Sequence, residues 1–168
     1  MIEEKIRKLL RKNQVMKPPV PVDLIAKSVG IGIREAPTGT NISGALVRSK
    51  GTVFIAVNNA HHPNRRRFTI AHELAHYHLN HAGTDYHVDG DFTINLRDQT
   101  SAEATNVDEI QANAFAAELL MPKDFLLRDL TDLLPLDDEK VRKLARKYQV
   151  SEQAMRIRLV NMGFLSPD

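Results

Sequence analysis

The sequence predicts an α+β protein, and three observations carry that prediction. Short β-like runs cluster between residues 31 and 58, the apolar period turns helical from Phe68, and from Val107 onward it stays helical. At 168 residues the chain suits one domain, or one plus a small appendage. A chain of that size buries roughly 70% of its unfolded surface, enough for a core without staples. The content of 42% hydrophobic and 26% charged residues excludes wholesale disorder.

Residues 3–12 place Ile6, Leu9 and Leu10 at helical spacing among charges, a short amphipathic helix stopped by KPPVPVD. LIAKSV reads as a second helix, started by Asp23 or the proline before it and ended by Gly30 and Gly32. IGIREA, SGALVRS and TVFIAVN follow as strands of a small antiparallel sheet at about 31–57, with Ser49-Lys50-Gly51 as a hairpin turn. The edge near Val53-Phe54-Ile55-Ala56-Val57 is expected to accept an added strand. FTIAHELAHYHLNH predicts a helix over about 67–82, ended by Gly83. A polar stretch over 83–106 contains one alternating segment, Phe92–Leu96, expected as a strand on the sheet edge. A second strong helix spans about 107–120, closed by Pro122, and three more follow in PKDFLLRDL, DDEKVRKLARKYQ and SEQAMRIRLVNM. This divides the chain into a core over 1–130 and a C-terminal helical part over 131–168.

No cysteine is present, which excludes disulfide scaffolds, cysteine-ligated zinc, iron–sulfur clusters and thiol nucleophiles. The start MIEEKIRKLLRKNQ has no apolar stretch of signal-peptide type, and no apolar run approaches the ~20 residues of a membrane span. A cytoplasmic protein is therefore expected, with no membrane partner. The net charge of +2 does not point to nucleic acid. Arg65, Arg66 and Arg67 read as solvated surface, as do the basic residues of 140–160.

The string HELAH at 72–76 carries the chemistry. His72 and His76 lie at i and i+4, about 40° apart around a helix, so both imidazoles can reach one ion. Glu73 sits beside them, placed to meet a water rather than the metal. Two ligands with an adjacent general base form the arrangement of zinc hydrolases. Ile70, Ala71, Leu74, Ala75 and Leu79 imply a largely buried helix, where two unpaired imidazoles would be costly and two ligands are satisfied. Zinc is the expected ion, although manganese or iron could occupy the same donors.

Catalytic zinc usually takes a third protein ligand. Leu79 and Ala82 stand where the metzincin extension requires Gly and His, which leaves a downstream carboxylate. The candidates are Asp85, Asp89, Asp91, Asp98, Glu103, Asp108, Glu109 and Glu118. Glu109 stands out on a helix whose Ala112, Ala114, Ala116 and Ala117 permit close packing, with Asn113 at i+4 placed to hydrogen-bond a ligating histidine. Glu118 is the next choice.

RRRFTIA before HELAH, then E-x-x-A-N-x-F-A-A-x-L-L-M-P, resembles the ImmA/IrrE family of metallopeptidases. The likeness extends to VDLIAKSVGI, to the strand ending in Val57-Asn58, and to a C-terminal V-S-x-x-A-M-x-x-R-L. The resemblance implies a zincin-like core with two packed active-site helices. It implies zinc on His72, His76 and Glu109, with Glu73 as base. It further implies a narrow protein substrate, a small helix-turn-helix repressor whose cleavage derepresses stress or mobile-element genes. Two positions depart from the family pattern: Ala75 replaces the usual Gly, and Asn80, beside His81, replaces a frequent His.

Tyr77, His81, Tyr86 and His87 are candidate cleft or transition-state residues, with nothing in their spacing to choose among them. His78 falls on the wrong face for the ligand pair and reads as packing or surface, while His61 and His62 precede a proline in a loop. Residues 144–164 have a helix-turn-helix rhythm with Ser151 as N-cap, read as packing or protein recognition in preference to DNA contact. Two rivals to the endopeptidase stand: a metal-containing binding or sensor module acting on a repressor or DNA without proteolysis, and a zinc amidase for small molecules.

Overall fold

The computed structural model describes residues 1–37, 43–49, 51–80 and 102–167. Helix α1 (Ile2–Lys12) buries Ile6, Leu9 and Leu10, with Glu3 and Glu4 in its first turn and Arg11 and Lys12 in its last, as the helix dipole favours. Helix α2 (Val22–Ser28) leads into β1 (Ile31–Ala36). Strands β2 (Gly44–Ser49) and β3 (Thr52–Asn58) form the expected hairpin.

The sheet runs in the order β1-β3-β2. Strand β2 is antiparallel to β3, with Leu46 opposite Ile55, whereas β1 is parallel to β3, with Ile33 opposite Ile55. The α+β class holds, but the sheet is mixed and not antiparallel throughout. The reason is topological: a connection longer than a hairpin follows β1, so β1 can join the far side of β3. Alternation along a strand reports which face is buried, not which neighbour it takes. The same order removes Val53–Val57 from the edge, because β3 is central and paired on both sides. The expected strand at Phe92–Leu96 lies outside the described residues.

Helix α3 (Pro63–Leu79) crosses the sheet and packs against both β2 and α4 (Ala102–Leu120). Its contact with β2 depends on Gly44. A Cβ there would collide with the Thr69 methyl group and stand 2.7 Å from the carbonyl oxygen of Ala56. Both helices begin earlier than the apolar period suggests, at residue 63 instead of about 67 and at 102 instead of about 107. Ile31, Leu46 and Ile55 of the sheet, Leu74 of α3, and Phe115 and Leu119 of α4 are all buried in one core.

Three helices complete the described fold: α5 (Lys123–Leu130), α6 (Asp138–Tyr148) and α7 (Glu152–Asn161). The α6–α7 turn follows its sequence signals. Gln149 ends α6 in the left-handed region, and the Ser151 side chain accepts from Ala154 N–H at 3.1 Å.

Candidate metal centre

The first turns of α3 anchor the helix that carries HELAH. Pro63 occupies a position where a missing N–H costs nothing, and His62 Nδ1 accepts from Asn64 N–H at 3.2 Å. The three consecutive arginines, expected as solvated surface, each tie α3 to a different element. Arg65 donates to Ser43 Oγ at 2.8 Å, Arg66 pairs with Glu35, and Arg67 donates to the carbonyls of Val20 at 2.9 Å and Gln149 at 3.3 Å. Burial pulls Arg67 below the ordinary guanidinium value. Arg65 stays exposed as expected, whereas Arg66 and Arg67 are partly buried, because a run of identical charges carries no sign of where each side chain will turn.

Further along α3, His72 and His76 lie one turn apart, their rings edge to face and their Nε2 atoms 3.0 Å from each other. Glu109 reaches across from α4, one oxygen 3.3 Å from His72 Nε2 and the other 3.3 Å from His76 Nε2. The two helices pack together, and Ala71 and Ala75 on α3 and Ala112 and Ala116 on α4 are all fully buried. His76 is 3% exposed and His72 14%, so two imidazoles have been withdrawn from water to face one carboxylate.

These separations test whether a metal fits. Donor atoms about 2.0–2.2 Å from a tetrahedral ion stand roughly 3.3 Å apart. The two histidine Nε2 atoms stand 3.0 Å apart and each lies 3.3 Å from a different Glu109 oxygen, so the three side chains converge within reach of one ion. Two imidazole nitrogens and a carboxylate also suit a first-row divalent ion better than calcium or magnesium. Asn113, one turn beyond Glu109, presents Oδ1 3.0 Å from His72 Nδ1. An amide oxygen only accepts, so the proton sits on Nδ1 and the Nε2 lone pair points toward the centre of the cluster. Glu109 also has a carboxylate geometry open to solvent on one side, at 28% exposure.

Glu73 lies beside this group but outside it. The residue is buried, at 8% exposure, and Oε2 accepts the main-chain N–H of Leu46 on β2 at 3.1 Å. That contact was not legible in the sequence, because a backbone N–H has no letter of its own. The one available signal was the SGALVRS run, which reads as a strand of the sheet without indicating where its main-chain groups go.

The remaining candidates separate from the cluster. Glu118 turns the other way on α4, where it pairs with Arg158 and its Oε1 accepts Lys123 N–H at the start of α5, 3.1 Å away. Tyr77 packs against the core with the Arg48 guanidinium 5.7 Å above its ring. His78 stacks on Phe115 at 5.8 Å, the packing role expected of it, and burial together with Lys5 and Lys12 lowers its pKa. His81, Tyr86 and His87 lie outside the described residues, as do Asp85, Asp89, Asp91 and Asp98.

Comparison with known proteins bears on the whole chain. A family model described as Peptidase M78, the IrrE N-terminal-like domain, matches residues 26–160. No curated protein matches the sequence. Among solved structures, a Mycobacterium tuberculosis transcriptional regulator superposes with a TM-score of 0.66 at 21% identity. The superposition covers 95% of this chain and 46% of that one, so the chain spans less than half the regulator's length. That likeness is one of fold. The family match, running from α2 to α7 and enclosing both helices of the cluster, places the chain in the peptidase M78 family as an IrrE N-terminal-like domain.

Proposed function

We propose that the chain is a zinc-dependent endopeptidase that cuts a protein substrate, a small helix-turn-helix repressor, and so derepresses stress or mobile-element genes from a cytoplasmic location. One observation carries the reading: two histidine nitrogens and a carboxylate converge within reach of one ion, with the buried Glu73 next to His72 and outside that group. Membership of a peptidase family supports it. In this reading residues 1–130 form the peptidase core and 131–168 a helical subdomain.

His72, His76 and Glu109 would hold the ion, and a bound zinc supplies Lewis acidity and draws the pKa of water toward about 7. The chain's own residues do the rest. Glu73 takes a proton from water as the water oxygen bonds to the scissile carbonyl carbon. It then delivers that proton to the departing nitrogen as the C–N bond breaks. Asn113 keeps His72 in one tautomer and one orientation. The outer side of β2, which no described strand covers, offers main-chain groups for an extended substrate.

The binding-module reading draws on the α6–α7 pair. On α7, however, Arg158 is committed to Glu118 and to the Met121 carbonyl, and Arg156 to Asp138. The Arg158 pair is largely buried, which withdraws that side chain from reading DNA bases and favours the peptidase, whereas the Arg156 pair is exposed. The test is to express a candidate small helix-turn-helix repressor together with wild-type chain or with Glu73→Gln. Wild type should leave repressor fragments and Glu73→Gln the full-length protein. Relief of repression by Glu73→Gln with the repressor intact would establish the binding module instead.

A further inference from the structure

The contact between Leu46 and Glu73 links an edge strand to the residue beside the metal cluster. Leu46 stands opposite Ile55 in the β2–β3 ladder, yet its N–H goes to Glu73 Oε2 and not to β3. It therefore points off the outer side of β2. By the two-residue period of a strand, Gly44 and Arg48 present main-chain groups on that same side. A peptide adding to this edge would take its register from those three residues.

One N–H makes one good hydrogen bond, so two acceptors at Leu46 compete. We propose that the Leu46 N–H is a shared donor. It holds Glu73 until an extended peptide adds to β2, and a carbonyl of that peptide then takes the N–H and releases Oε2 to accept the proton of water. The general base is thus freed by strand addition at the place where the base is needed. A bond to a carboxylate is stronger than one to a neutral carbonyl. Displacement consequently requires a ligand that makes further ladder bonds along β2, which selects extended segments over helical or compact ones. What Glu73 does once released rests on the peptidase reading; the competition itself does not.

The test reads binding on the full zinc-loaded chain, with acetyl-Val-Thr-Val-Thr-Val-amide as the probe peptide and the Leu46 amide resonance as the reporter. Before any peptide is added, Glu73→Gln should shift that resonance, because the charged acceptor is gone. Glu73→Ala should bind the probe about tenfold more tightly than wild type, since removing a charge-assisted acceptor lifts the competition, and Glu73→Gln should fall between the two. Equal or weaker binding by Glu73→Ala overturns the proposal, as does absence of binding in all three chains. Should Glu73→Ala fail to fold, the near-isosteric Glu73→Gln carries the comparison, and affinity no higher than wild type overturns it. If the predicted order of affinities holds but no chain cleaves any peptide, the peptidase reading falls while the shared donor stands.

Discussion

A ligating imidazole must offer a lone pair from one nitrogen and have its other nitrogen held, or it rotates away from the ion. Asn113 does this for His72, and its loss should be read in metal affinity before it is read in fold. Asn113→Ala is expected to weaken zinc binding 10–100-fold in competition with a chelator, with the helical signal unchanged. Glu73→Gln separates differently. Zinc content should stay near wild type, while cleavage falls by roughly 10²–10⁴-fold, the worth of a positioned base. That His72 and His76 share a face, and that Glu109 and Asn113 share another, was legible because helical geometry turns a spacing of four residues into a shared face. Leu46 was not, since its contribution is a main-chain group aimed by a register that sequence does not state. The arginines of 65–67 belong with Leu46: their partners, Ser43, Glu35, Val20 and Gln149, are distant in sequence and become neighbours only when the elements dock.

At the scale of elements, helices announced themselves by period and strands by composition, but the order of strands in the sheet did not. Three apolar runs in succession look alike whether they form a meander or whether the first moves to the far side of the third. The consequence reaches the site, because β2, which packs against α3, lies at the edge of the described sheet and β3 lies at its centre. Gly44 marks the close approach of β2 and α3, so Gly44→Ala should destabilise by about 1–3 kcal/mol through overpacking, measured by urea unfolding. A second element contact, between α4 and α7, is the buried Glu118–Arg158 pair. Sequence reading offered Glu118 as an alternative ligand because a carboxylate on the same helix carries no mark of which way it faces. Arg158→Met leaves that carboxylate without its partner and should cost about 3–5 kcal/mol. Adding Glu118→Gln removes the stranded charge yet keeps an acceptor for Lys123 N–H, and should recover most of the loss. Recovery of nothing would mean that the pair contributes packing and not charge.

For the whole molecule, the cluster joins parts of the chain that are far apart in sequence. His72 and His76 come from α3 and Glu109 from α4, and these two helices form much of the core. An ion held by all three donors binds the folded chain and not the unfolded one, so zinc should raise stability by mass action. At free zinc a thousand times the dissociation constant the gain is about 4.1 kcal/mol. For a chain of this length that corresponds to a Tm increase of roughly 8–16 °C. Chelation of the wild-type chain should reverse the increase. Glu109→Ala decides whether the third donor is assigned correctly. With two imidazoles alone, affinity falls and the Tm should respond only weakly to zinc, whereas Glu118→Gln should keep the full response because its carboxylate belongs to the contact with Arg158. If Glu109→Ala bound zinc undiminished and kept the full Tm response, Glu109 would not be the third ligand, and the convergence of the three side chains would be an accident of packing between α3 and α4.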